Sequence, residues 1–339
     1  MNLVDVFNQD AFSTVSLTDA INKFPHQPTL LDEMGLFETV PIKDTTAIIE
    51  DLQGQLTLVP TVRRNGPSIP GVTAKRTALN LTVPSWKMRD AIYADDIIGV
   101  RGFGSQDPMT GIQELLGRKM LAMRKSLEAT QEYLRLQACT TGILTYPTNS
   151  VDANLSLHTA FGTTQDTVDI ALDTSTTAAL QARIPEIADT IEANLGNTPY
   201  NQIIVLCGRT FFRTLISHSL IKEAYNHYAV MQATLPIGMK QTNRRMFKFE
   251  NFTFIEYYGS VGGQAYINTD LAWAFPDAPG LFKSVYAPAP VMEAVGTLGQ
   301  PFYMRQWVDP DGTKVNLEVQ SCALHYCGRP QTCVAVTKS

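Results

Sequence analysis

Positive charge is scarce in this 339-residue sequence: 27 Lys and Arg face 32 Asp and Glu, a formal net charge of −5. A protein that grips nucleic acid through phosphates carries a basic excess or a basic stripe. Short pairs such as Arg63-Arg64 and Arg244-Arg245 do not supply one. Tight clamping of DNA or RNA is therefore excluded. No run approaches the roughly 18 apolar residues that a membrane-spanning helix requires. Residues 1–7 have neither the basic start nor the long apolar stretch of a secretion signal, so no leader is expected. The cysteines, Cys139, Cys207, Cys322, Cys327 and Cys333, are odd in number. They are expected to start as reduced thiols in a chain of cytoplasmic origin. Charge of either sign is sparse as well, 17% against 44% apolar residues. Such a chain can bury a sizeable core, and much of its surface is expected to be covered by something other than water. The 19 prolines and 22 glycines argue against a helical bundle and for an α+β or mostly-β fold.

What is present reads as an arm, a hairpin and a rod. Residues 16–23 suit a short helix capped by Ser16 or Thr18. Phe24-Pro25-His26-Gln27-Pro28 must then be extended, because each proline pushes its predecessor out of the helical region. A segment of this kind has little to pack on within its own chain. Further on, 45–50 is a β-type run, and 55–59 and 77–83 alternate polar with apolar at period two. The turn-forming stretch 60–71 lies between them. Together they predict a hairpin of roughly 30 residues, and because isolated two-stranded ribbons are marginal in water, it needs a neighbour. The clearest helix is expected over 111–139, on the order of 40 Å long. Thr110 is its expected cap. Ile112, Leu115, Leu116, Met120, Met123, Leu127 and Leu134 form its apolar face, and Gly142 ends it. Residues 175–196 read as helical with a kink or break at Pro185. A buried strand follows at 202–207, then one or two short helices over 211–231. The rest is β-rich, with runs at 247–249, 252–257, 264–267, 271–275, 282–286 and 315–324.

Chemistry-bearing constellations are weak. Asp95-Asp96 offers adjacent carboxylates, but neighbours on a strand point to opposite faces, so a turn or helix start is the better reading. Gly102-Phe103-Gly104-Ser105 lacks the third glycine and the βαβ context of a phosphate-cradling loop. Cys322, His325, Cys327 and Cys333 raise the question of zinc, but no second closely spaced ligand pair accompanies them. Packed thiols fit better. His218 and His227 lack a Gly-x-Ser-x-Gly elbow to serve. Lys75, near the hairpin tip, raises an isopeptide crosslink to an asparagine of a neighbouring subunit, against the plainer role of a solubilising lysine. No catalytic residue, metal ligand or cofactor site is expected.

The organisation nevertheless resembles one architecture. Leu30-Leu31-Asp32-Glu33-Met34-Gly35-Leu36-Phe37 and Thr45-Thr46-Ala47-Ile48-Ile49-Glu50 look like the segments leading into its first strands. Residues 54–84, with Arg63-Arg64-Asn65-Gly66 and Pro70-Gly71, are similar to its E-loop. Residues 118–140, with Arg124 and Glu128 on the polar side, match its spine helix. Tyr303-Met304-Arg305-Gln306-Trp307-Val308-Asp309-Pro310 and the 315–324 run look like its closing segment. The chain resembles the tailed-phage major capsid proteins of the Hong Kong 97 type, most of all the phage lambda capsid protein E family.

That resemblance implies an α+β Hong Kong 97-type fold. Its expected parts are an N-terminal arm at 1–44 and the E-loop hairpin with flanking strands at 45–90. A peripheral domain with the spine helix (about 111–140) would fill 91–199. An α/β axial domain would fill 200–305, and 306–339 would be a returning C-terminal strand and tail. It also implies a non-enzymatic shell protein that self-assembles, through pentamers and hexamers, into an icosahedral head around double-stranded DNA. Scaffold and portal proteins would be partners, a decoration protein an optional one, and packaged DNA would be touched weakly. No membrane partner or cofactor is implied. The protein would be made in the host bacterial cytoplasm and end in the virion. Arg63, Arg64, Asn65, Lys75 and Arg76 become candidates for contacts between subunits, and Pro84, Gly142 and Pro185 candidate hinges. An encapsulin-like shell enclosing cargo is the main alternative, with a monomeric β-rich enzyme or ligand-binding protein as the other.

Overall fold

The computed structural model describes residues 13–23, 29–53, 75–97, 108–146, 153–172, 177–196, 198–219, 221–222, 225–226, 245–261 and 264–338. Two sheets and one long helix organise it. The helix runs Pro108–Cys139, 32 residues, or roughly 48 Å at the usual rise. It begins before Thr110, expected as its cap; Pro108 suits a first helical position, where the missing N–H costs nothing. Gly142 (φ +61°) closes the end, its N–H reaching the Gln137 carbonyl at 2.9 Å. A β-carbon there would also sit 2.8 Å from His158 Nε2, so only glycine fits.

A five-stranded sheet is built on Lys314–Cys327, a 14-residue strand buried from Val315 onward. It pairs antiparallel with Ser85–Tyr93 over 314–322, with Tyr303–Val308 over 315–320 and with Phe282–Tyr286 over 323–327. Phe37–Pro41 adds a parallel edge to Phe282–Tyr286. Val315, Leu317 and Val319 face the long helix at Leu116, Met120, Met123 and Leu127. Alternation puts Asn316, Glu318 and Gln320 on the opposite face.

A six-stranded sheet follows the order Thr167–Asp169, Val334–Thr337, Ala272–Pro276, Ile203–Cys207, Phe252–Glu256, Met246–Phe249. Ile203–Cys207 is buried at every residue between two partners, which explains its unbroken apolar run. Helix Thr177–Leu195 lays Leu180, Ile184, Ile187 and Ile191 on this sheet's core. It is one uninterrupted helix. Pro185 lies on its exposed side, where the buried face holds the backbone in register despite the lost hydrogen bond.

The span 200–305, expected as one lobe, is divided between the sheets: 203–276 contributes to the six-stranded sheet, 282–286 and 303–308 to the five-stranded one. The chain's end is also more than a tail, since Val334–Thr337 inserts between Thr167–Asp169 and Ala272–Pro276. Both differences come from pairings between distant segments, which local periodicity does not encode.

Candidate assembly site

The hairpin pairs Thr46–Gln53 with Lys75–Thr82 over eight residues and forms a two-stranded sheet of its own. The strand paired with Lys75–Thr82 is thus Thr46–Gln53. At its base, Ala47, Ile49 and Leu81 are buried with Leu134 and Ala138 of the long helix, while Ile48 points outward at 67% exposure. Lys75 and Arg76 stand at the far end of the described ribbon, opposite Gln53 and Leu52. Arg63, Arg64 and Asn65 lie outside the described residues, as does 55–59. A cavity of about 530 Å³ opens beside the hairpin base, lined among others by Ile48, Ile49, Leu195, Leu281, Lys283 and Arg329.

The described N-terminal segments have a firm seat on their own chain, contrary to the expectation of an unanchored arm. Helix Thr14–Lys23 buries Leu17 and Ile21 against Met120, Met123, Leu127, Phe302 and Met304. The Thr18 hydroxyl accepts from the Met304 N–H at 3.1 Å. Residues 29–36 bury Leu30, Leu31 and Leu36 beside Leu136 and Cys139.

Polar side chains of the long helix hold both segments. Arg124 donates to the Ile21 carbonyl at the C-terminal end of the arm helix, where a cation also meets the helix dipole favourably. It pairs with Glu128 at 2.7 Å and lies 5.3 Å over the Phe302 ring. Arg135 pairs with Asp32 and donates to the Tyr286 hydroxyl at 3.1 Å. Glu132 accepts from the Thr29 hydroxyl at 2.7 Å, the Leu31 N–H at 3.3 Å and the Tyr257 hydroxyl at 3.4 Å. Burial pushes the Glu132 carboxyl upward from its ordinary value, against the pull of these donors and of Arg135. Nearby, His325 is held well below the imidazole range, by burial first and then by the Arg135 charge. It is therefore neutral, with Nδ1 2.8 Å from the Ser284 hydroxyl. The polar side of the long helix is where the arm is fastened. Sequence periodicity could mark that side as polar but not as covered.

The other constellations come apart. Cys322 packs with Leu81, Val83 and Tyr326 on one face of the long strand. Cys327 and Cys333, 3.9 Å apart, join Cys139 on the other. Among the described residues no group of three or more His, Cys, Asp or Glu is arranged to hold a metal. Asp95 and Asp96 are exposed in the short helix Ala94–Ile97, and Asp96 caps it by accepting from the Tyr93 N–H at 3.1 Å. His218 terminates helix Arg209–Ser217; His227 and 102–105 lie outside the described residues. No described helix is long and apolar enough to cross a membrane.

Comparison with known proteins gives these surfaces their context. The family model of phage major capsid protein E matches residues 13–338. The major capsid protein of Pseudomonas phage KPP10 is 27% identical over 345 residues, covering 96% of this chain and 97% of that protein. The major capsid protein of Salmonella phage Felix O1 (isolate Felix O1-VT1) is 25% identical over 360 residues, covering 96% of each. A crystal structure described as a prophage capsid protein (E. coli CFT073) superposes with a TM-score of 0.57 at 16% identity, covering 96% of this chain and 99% of that one. That likeness speaks for the fold alone. The match over nearly the whole sequence places the chain in the phage major capsid protein E family, as a shell-building capsid protein of Hong Kong 97-type fold.

Proposed function

We propose that this chain closes into an icosahedral head around the double-stranded DNA of a tailed phage, by way of pentamers and hexamers. The observation that carries the reading is the hairpin. Its eight-residue ribbon pairs with no other described strand, and at Ile48 it turns an apolar side chain outward. A ribbon of this kind gains by lying on another subunit, which offsets the ordering entropy it cannot recover alone. Lys75 and Arg76, with Arg63, Arg64 and Asn65, are the proposed contacts at its far end. A peripheral domain over 91–199 and an axial domain over 200–305, whose strands 282–286 and 303–308 join the five-stranded sheet, would let one sequence serve rings of two sizes. The role is structural and uses no cofactor. Scaffold and portal proteins are its proposed partners during assembly in the host cytoplasm, and a decoration protein is an optional one on the finished shell. DNA is held weakly, because net charge −5 offers few cations per phosphate.

Sedimentation velocity and negative-stain microscopy of the purified chain, with and without its scaffold, test the proposal. Closed shells or rings of five and six are expected. A compact monomer under every condition would overturn it.

A further inference from the structure

The face of the five-stranded sheet turned away from the long helix carries a built cluster that the fold does not require. Arg89, Glu318 and Arg305 stand side by side on three adjacent strands. Glu318 is buried and takes both guanidinium groups, at 3.3 Å from Arg89 and 2.8 Å from Arg305. Both guanidinium groups also lie over one indole, 4.7 and 4.9 Å from the Trp307 ring. The arginines themselves stay 59% and 39% exposed. Lys87, one alternation further along the strand, is exposed on the same face. Two cations thus hold one buried carboxylate, with a third two residues along the strand, in a chain that is acidic overall. Stacking on Trp307 fixes the guanidinium planes and leaves N–H edges free, the arrangement suited to bidentate carboxylate recognition.

The opposite charge sits at the end of the same sheet. There Tyr93 pairs with Lys314, and the Ala94 N–H meets the Thr313 carbonyl at 3.2 Å. Asp95 and Asp96 project from the helix that follows, and Asp309 and Asp311 from the facing turn. Lys314, 3.6 Å from Asp309, is the described cation among these four carboxylates. Within one chain the clusters are held apart along the strand: Arg89 and Arg305 are paired at Glu318, four residues from Lys314 or about 13 Å, and Lys87 at Gln320, six residues or about 20 Å.

We propose that the Arg89–Trp307–Arg305 face of one copy receives the carboxylate-rich sheet end, Asp95, Asp96, Asp309 and Asp311, of a second copy. The contact is head-to-tail, the kind that closes into rings. It rests on the self-assembly reading and adds to it which surfaces meet. Nucleic acid is the weaker occupant: three cations beside a fixed carboxylate release few counterions, and the rest of the chain repels a polyanion.

The test uses full-length chains whose native thiols are all buried. Unassembled Lys87→Cys and Asp311→Cys chains are mixed, assembled together and then treated with a short bismaleimide, with each chain assembled alone as the control. The mixture is expected to give a doubled-mass adduct that neither chain gives alone. In parallel, Lys87→Glu/Arg89→Gln should raise the concentration needed for assembly about tenfold or more, since like charges then face each other. Arg305 still satisfies Glu318 in that variant, and an unchanged melting curve checks its fold. Adding Asp95→Lys/Asp311→Lys to it restores opposite signs and should bring assembly back to within about threefold of wild type. Absence of the mixed adduct, self-crosslinking of the Lys87→Cys chain, or wild-type assembly by the Lys87→Glu/Arg89→Gln variant overturns the inference. So does duplex DNA retained at physiological salt by wild type and lost by that variant. If wild type forms shells while these results fail, only the pairing of surfaces is wrong. A wild-type chain that never assembles sinks the assembly reading and this inference together.

Discussion

Around the six-stranded sheet the buried set is mainly apolar, Ile184, Ile187, Ile191, Phe211, Phe212, Phe247 and Phe254 among it, with Phe247 and Phe254 stacked at 5.0 Å; Glu256, at a strand end between Arg209 and Arg245, is a buried charge there. Around the long helix and the five-stranded sheet it includes Arg124, Glu128, Gln131, Glu132, Arg135, Glu318 and His325. The first region is held by contact area and dispersion, which need no particular partner geometry. The second depends on matched charges and donors, each of which is costly when its partner is removed. The arm, the helix and the long strand meet in the second region. The contacts there are consequently specific, and they can be broken one at a time.

The difference predicts which single changes hurt most. Arg135→Met fills the volume but removes the cation beside Asp32 and Glu132 and the donor to the Tyr286 hydroxyl, leaving Asp32 with neutral donors such as Thr29. A loss of about 3–5 kcal/mol is expected, the cost of orphaning a buried charge. Calorimetric unfolding of the unassembled chain measures it, and a loss below about 1 kcal/mol would show that the cluster is dispensable. Ile187→Ala, in the apolar region, removes only packing. Its expected cost is about 2–4 kcal/mol, the transfer term plus a cavity, and it should not vary with pH. A clear pH dependence in that variant would break the contrast between the two regions.

How much of this was legible in sequence follows the same line. The strands Ile203–Cys207 and Ala272–Pro276 appear in the sequence as continuous apolar runs because they are buried on both faces, and Phe252–Glu256 and Phe282–Tyr286 as runs rich in aromatic and β-branched residues. The long helix shows its period through Leu116, Met120, Met123 and Leu127. What covers its polar side was not readable. Arg135 and Asp32 are 103 residues apart, and nothing local in either segment says that they meet. The place of Val334–Thr337 was hidden for the same reason. The Arg89–Trp307–Arg305 cluster left a faint trace: an Arg-x-Trp on one strand and a lone arginine on another, which only the register through Glu318 joins.

The smallest effect is a slope rather than an offset, and it sharpens the comparison furthest. Burial raises the Glu132 carboxyl above its ordinary 4.5, although Thr29, Leu31 and Arg135 favour its charged form. Asp32, Arg135, Cys139, Tyr257 and Tyr266 are the other titratable groups around it, and Tyr266 is itself pushed up to about 12, by burial and then by Glu132. Below pH 4.5 the folded and unfolded chains both keep the Glu132 proton, so it contributes no pH dependence there. Above that value the unfolded chain gives up the proton first, and stability falls as pH rises until the folded carboxyl has ionised too. Glu132→Gln keeps a carbonyl to accept from Thr29 and Leu31 but cannot ionise. The wild-type-minus-variant stability, taken from urea midpoints at closely spaced pH, should therefore decline upward from about pH 4.5 and then level. A difference that stays flat would mean that the donors of the arm and Arg135 balance burial. A difference that rises would mean that they outweigh it and hold Glu132 as a carboxylate.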